Sequence, residues 1–150
     1  MSPTVKFIVY GTPTPQGSKT KMPNGAMVEG GSKVQRDMRA DWRTAVATAA
    51  GQQADHFGCL TGPLRLTVTF RFAMPKSRKA AIRESGWNWK TSAPDLDKLL
   101  RSTGDALKIA GLVHDDALFV ATVAEKIEVW ADWTGAEIVV SPETRLDGLS

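Results

Sequence analysis

Cysteine is almost missing from this 150-residue chain: Cys59 stands alone, so no internal disulfide can form and no cysteine-built zinc site is available. Histidine is scarce as well, with only His56 and His114, which disfavours a metal site built on soft or imidazole ligands. No apolar run approaches the ~20 residues that cross a bilayer, so no membrane partner is expected. The opening MSPTVKFIVYG lacks the basic start and the apolar core of about 7–15 residues that mark a secretory signal. These gaps together lead to the expectation of a cytoplasmic protein. What remains, 42% hydrophobic and 23% charged residues, is ordinary for a globular chain, and this length suits one domain over residues 1–150 with one modest core.

The net charge of +3 conceals a segregation. Residues 1–43 hold seven Lys/Arg against three Asp/Glu, and residues 65–101 hold nine against three. Residues 102–150 reverse the balance, with three basic against nine acidic. A basic first two-thirds and an acidic last third suit a polyanion held beside a carboxylate-rich site; an unevenly charged solvated surface reads the same way in composition.

Along the chain, VKFIVY (5–10) reads as a short strand, rich in β-branched and aromatic residues. The Gly, Pro and polar residues of 11–33 predict a long, mobile basic loop carrying Lys19, Lys21 and Lys33. From Val34 the spacing turns helical, with Val34, Met38, Trp42, Val46 and Ala49 on one side, to about residue 55. LRLTVTFRFAMP (64–75) alternates, which predicts a strand with Leu64, Leu66, Val68, Phe70 and Phe72 on a buried face. Residues 76–93 are basic and contain Trp87 and Trp89, a mixture that suits phosphates and exposed bases. After Pro94 comes a helix whose apolar arc is Leu96, Leu99, Leu100, Thr103, Ala106 and Leu107. Residues 118–130 and 135–142 read as two further strands, and the polar tail 143–150 is expected to fray. The order predicts an α+β fold, a mixed β-sheet packed by two main helices.

The acidic residues carry the chemistry. Pro94 pushes the preceding chain extended, which makes Asp95 the natural N-cap of the helix, with its carboxylate accepting from first-turn amides. Asp97 lies in the first turn, where the helix dipole favours negative charge. Capping therefore accounts for both residues without catalysis. The other reading brings in Asp115 and Asp116 of HDD: if that turn folds over the helix start, three or four carboxylates converge and need a cation. Hard oxygen ligands suit Mg²⁺, with Mn²⁺ as the alternative, and Mg²⁺ on carboxylates serves phosphate chemistry. Arg101, one turn after Asp97, is placed either for an i,i+4 ion pair with Asp97 or Asp105 or for a scissile phosphate. Lys76, Arg78, Lys79, Lys90 and Lys98, with Lys19 and Lys21, are the candidates for DNA-backbone contact.

PDLDKLLRSTGDAL (94–107) followed by GLVHDDALFVATVAEK (111–126) resembles the core of the RusA family of Holliday-junction resolvases. That core has the form P-D-x-D-N-L-x-K, a helix with Asp-Ala-Leu, and an Asp-Asp pair leading into a strand with a later lysine. FIVYGTPTPQGSKTK and LRLTVTFRFAMPKS resemble the family's opening strand with its basic loop and the strand before the acidic core, so the likeness runs over about residues 5–140. It implies a RusA-like fold and a homodimer, often phage-encoded, that cuts four-way DNA junctions on symmetrically related strands with Mg²⁺ or Mn²⁺. Two symmetric cuts need two sites in a two-fold arrangement. Position by position, the family's metal-binding aspartates match Asp95, Asp97 and Asp116, with Asp115 at the adjacent acidic position. Two departures stand out: the family's catalytic lysine falls at Arg101 and its asparagine at Lys98. Arginine keeps the charge but cannot give up a proton near neutral pH. Two other functions share these features: a branched-DNA binder without catalysis and a Mg²⁺-dependent nucleotide phosphohydrolase.

Overall fold

The computed structural model describes residues 2–15, 19–21, 23–29, 31–130 and 133–144. Its frame is a five-stranded sheet in the order β1-β7-β4-β6-β5, formed by β1 (Val5–Tyr10), β4 (Leu64–Ala73), β5 (Trp87–Trp89), β6 (Phe119–Val129) and β7 (Gly135–Pro142). The sheet is mixed: β4 and β6 run parallel, and the other pairs are antiparallel.

Alternation explains which face is covered. Leu64, Leu66, Val68, Phe70 and Phe72 of β4 point to one side, joined by Val5, Phe7 and Val9 of β1 and by Ala136, Ile138 and Val140 of β7. Helices α1 (Lys33–Phe57) and α3 (Leu96–Ile109) cover this side through Trp42, Val46 and Ala50 and through Leu99, Ala106 and Leu107. The other side is open, with Arg65, Thr67, Thr69 and Arg71 half-exposed and Ile8, Tyr10 and Val123 exposed. Gly135 lies where β7 passes so close to the Val9 carbonyl that a side chain would collide with it.

Several elements differ from the sequence expectations. Within 11–33, β2 (Lys19–Lys21) and β3 (Met27–Glu29) pair as an antiparallel hairpin, so the segment is not one uninterrupted loop. Strands of three residues are too short for alternation to reveal. Residue 33 already belongs to α1, whose start is fixed by a capping box between Ser32 and Gln35. Val34 and Met38, expected on the packed side, are exposed, and Arg39 is buried instead. The first turns of α1 stand clear of the sheet, so the apolar spacing there has nothing to pack on. The basic stretch after β4 contains a short helix, α2 (Ala80–Ser85), and the edge strand β5, neither of which its composition signals. At the C-terminal end Glu143 is tied down: its amide donates to the Pro63 carbonyl, and its carboxylate accepts from Arg65. The rest of the predicted tail, 145–150, lies outside the described residues.

Candidate active site

The chain between β4 and β6 passes through α2, β5 and α3 before the main sheet is completed, and α3 is its last long element. Asp95 is the N-cap of α3, with extended backbone, and its carbonyl accepts from the Leu99 amide. Its carboxylate, however, makes no hydrogen bond to the first-turn amides, contrary to the expected cap. The side chain is about two-thirds exposed, with the Lys98 ammonium 3.8 Å away. The helix thus uses the backbone of Asp95 and leaves its exposed carboxylate unused by the cap, paired among the described residues only with Lys98.

Asp97, Arg101 and Gly104 follow on successive turns, and all three line a cleft of about 290 Å³. Leu100 of α3 joins them, and the opposite wall is Leu66 of β4 with Asp116, Phe119 and Thr122. Parallel pairing places Leu66 beside Thr122, and the Thr122 hydroxyl donates to the Leu66 carbonyl. The two acidic motifs of the sequence therefore meet across one cleft: Asp97 from the helix, Asp116 from the turn that opens β6. Asp95 is not among the lining residues. Among the described residues no group of three or more His, Cys, Asp or Glu side chains is gathered tightly enough to hold a metal ion unaided.

Arg101 forms no ion pair with Asp97 or Asp105 among the described residues, so its guanidinium is not consumed within the helix. Asp115 and Asp116 behave as a pair. Asp115 caps the 3-10 turn Asp116–Leu118 by accepting from the Ala117 amide at 2.9 Å. That amide, a hydrogen bond with Asp116 and the positive charge of Lys108 at 4.0 Å hold the Asp115 carboxyl below the usual range. Asp116, though exposed, is pushed the other way, first by its interaction with Asp115, then by some desolvation and the nearby charge of Asp115 and Asp105. Two adjacent carboxyls pushed apart in this way form a like-charge pair that an incoming cation would relieve.

A family model for endodeoxyribonuclease RusA matches residues 11–141. The chain belongs to this family. It is also 35% identical over 65 residues to the crossover junction endodeoxyribonuclease rusA of Lactococcus phage r1t, a match over 43% of this chain and 45% of that protein. The chain thus spans less than half the length of that relative.

The other residues singled out in the sequence of this RusA-family chain fall into distinct groups. Lys76 and Lys79 are exposed just before α2. Arg78 makes a two-pronged pair with Glu128 at 2.6 and 3.1 Å, which ties the 76–79 turn to β6. Lys90 sits 4.9 Å over the Phe72 ring and donates to the Ser92 hydroxyl. Lys98 is exposed near Asp95. Lys19 and Lys21 lie on β2, with side chains outside the described residues. Trp87 and Trp89 meet edge to face on the outer strand, 45% and 52% exposed. Sequence reasoning missed Thr122 and Leu66 as cleft residues, and Lys126 as a ligand of the loop before Asp95. Only the parallel β4–β6 register brings these residues to α3, and periodicity carries no information about pairing partners.

A second cleft of about 300 Å³ lies between the end of β1 and α1, lined by Tyr10, Thr12, Asp41 and Trp42 among others. Its single carboxylate offers no acidic pair, which separates it from the α3 cleft.

Proposed function

We propose that this RusA-family chain is a divalent-metal-dependent endodeoxyribonuclease that resolves Holliday junctions and related branched DNA, acting as a homodimer that makes symmetric paired cuts. One observation carries the reading: Asp97, Arg101 and Asp116 face the same open cleft, beside two further carboxylates, Asp95 and Asp115, at the ends of the elements that form it. The donor set fits Mg²⁺ or Mn²⁺. Both prefer carboxylate oxygen, and Mg²⁺ in phosphate chemistry needs only one or two protein carboxylates, with water and substrate oxygens completing its shell.

In this reading Asp97 and Asp116 bind the cation, Asp95 adds a ligand from the helix cap, and Asp115, which caps the turn that presents Asp116, adds a neighbouring carboxylate. When bound, the metal would lower the pKa of a water and polarise the phosphoryl oxygen. Arg101 places a fixed positive charge at the same cleft, where it holds the scissile phosphate and offsets charge that builds in the transition state. It cannot serve as the acid for the leaving 3′-oxygen. Lys76 and Lys79, exposed before α2, and Lys98, exposed in the first turn of α3, grip the flanking backbone, with Lys19, Lys21, Arg78 and Lys90 as further candidate contacts.

Purified protein incubated with labelled four-way junctions and with linear duplex, with and without Mg²⁺, tests this proposal. Paired symmetric nicks in the junction alone, only with metal, are expected. Asp97→Asn should lose cleavage by ~100-fold or more while keeping junction affinity, as expected when transition-state electrostatics are removed and backbone contacts remain. A wild-type protein that binds junctions but never cuts them points to a non-catalytic binder, and turnover of free nucleotides points to a phosphohydrolase.

A further inference from the structure

The start of α3 has an unusual support. Asp95 ends the 92–95 approach and its carboxylate accepts from no first-turn amide, so the side-chain cap that normally fixes a helix entrance is absent. In its place, the Lys126 ammonium donates to the Pro94 carbonyl at 2.7 Å and to the Ser92 carbonyl at 2.9 Å. Lys126 lies on β6 opposite Phe70 of β4, so it shares the face of the sheet that the helices cover. Its backbone carbonyl also accepts from the Lys90 amide. One residue of a central strand thus grips three points of the segment leading to Asp95. The same strand begins at the turn that presents Asp116. A single rigid element therefore spans both acidic motifs, with Asp116 at one end and the anchor of Asp95 towards the other.

We propose that Lys126 is a positioning residue for the metal-binding aspartates: its ammonium fixes the Ser92 and Pro94 carbonyls and so sets Asp95 and Asp97 relative to Asp116. The inference rests on the metal-dependent reading above. Two charge-assisted hydrogen bonds to main-chain oxygens hold a loop in one geometry more firmly than neutral contacts do. Two of the three ammonium donors are thus taken up by main-chain oxygens of the loop. Residues that orient metal ligands typically change metal affinity by ~10–100-fold when removed.

The test compares wild type with Lys126→Met, Lys126→Gln and Lys126→Arg in the full chain. Mn²⁺ binding to the DNA-free protein is measured by electron paramagnetic resonance, the Mg²⁺ dependence of junction cleavage by gel assay, and junction affinity in Ca²⁺ by anisotropy. Lys126→Met is expected to weaken Mn²⁺ binding by ~10-fold or more and to raise the Mg²⁺ needed for half-maximal cleavage in parallel, with junction affinity unchanged. Lys126→Arg, which retains charged donors, should recover most of the Mn²⁺ affinity, and Lys126→Gln, with one amide donor group, should fall between. If Lys126→Met does not fold, the order of Arg above Gln in Mn²⁺ affinity decides the matter, and equal affinities overturn the assignment. Wild-type Mn²⁺ affinity in Lys126→Met overturns it too, as does lost cleavage that saturating Mg²⁺ cannot restore alongside normal Mn²⁺ binding. A wild-type protein that binds no Mn²⁺ and cuts without metal instead overturns the metal reading itself.

Discussion

At Arg101 the RusA-family pattern and this chain part company, and the structure gives the difference a physical frame. A lysine at this position would present a compact ammonium that can donate a proton; the guanidinium presents a broad, permanently charged fork. Arg101 makes no intrahelical ion pair among the described residues and lines the cleft with Asp97 and Asp116. A fixed charge aimed at a transition state is worth more than a surface ion pair, which contributes little. Arg101→Ala is therefore expected to lower kcat on junctions by ~100–1,000-fold, the range seen when one stabilising donor is removed. Arg101→Lys should retain most of the rate, and single-turnover cleavage at saturating protein separates the two outcomes. If Arg101→Ala leaves kcat intact, the residue is a generic surface charge.

Among the elements, β6 does more than complete the sheet. Its inward face carries Lys126 and, two residues on, Glu128, which is almost fully buried and accepts from both Arg78 and Asn88. The two-pronged Arg78 bond, aided by Asn88, holds the Glu128 carboxyl below its ordinary value of 4.5 despite burial. The segment 76–94, with α2, β5 and its exposed tryptophans, is thus stapled to β6 at both ends. A carboxyl with a depressed folded-state pKa stabilises the fold above its unfolded value and loses that contribution as pH falls through the folded value. Arg78→Ala should accordingly lower Tm at pH 7, and the gap to wild type should narrow as pH drops below 4.5. Thermal melts from pH 7 to pH 3 measure this. A gap that is constant with pH would mean that the pair contributes through packing alone.

Over the whole molecule, the basic and acidic stretches of the sequence fall on either side of α3. The exposed lysines at 76 and 79 precede α3 and Lys98 lies in its first turn, while Asp115 and Asp116 follow it. A backbone-gripping mode of this kind predicts that affinity for long duplex DNA falls steeply with salt, by about 0.9 log unit per log unit of salt for each phosphate neutralised. Anisotropy titrations over a range of NaCl concentrations test this, and a flat response would remove the polyanion reading.

Much of this molecule was legible as sequence because its long elements announce themselves locally. The strict alternation of β4, the 3.6-residue arc of α3 and the extended chain forced before it by Pro94 are properties of neighbouring residues. They sufficed for an α+β fold and, with the motif resemblance, for the family. The acidic pairs were equally visible, but their meaning was not: Asp95 suited a cap as well as a ligand, and only the folded helix shows its carboxylate unused by the cap. Short elements such as the β2–β3 hairpin, α2 and β5 escaped because three to six residues hold too few repeats of any period. Which strand lies beside which was decided by tertiary packing. Parallel pairing of β4 with β6 sets Asp116 across from Asp97 and Lys126 beneath Pro94. Such pairing joins residues more than fifty positions apart through burial of a shared face, and no local pattern in a chain can encode that distance.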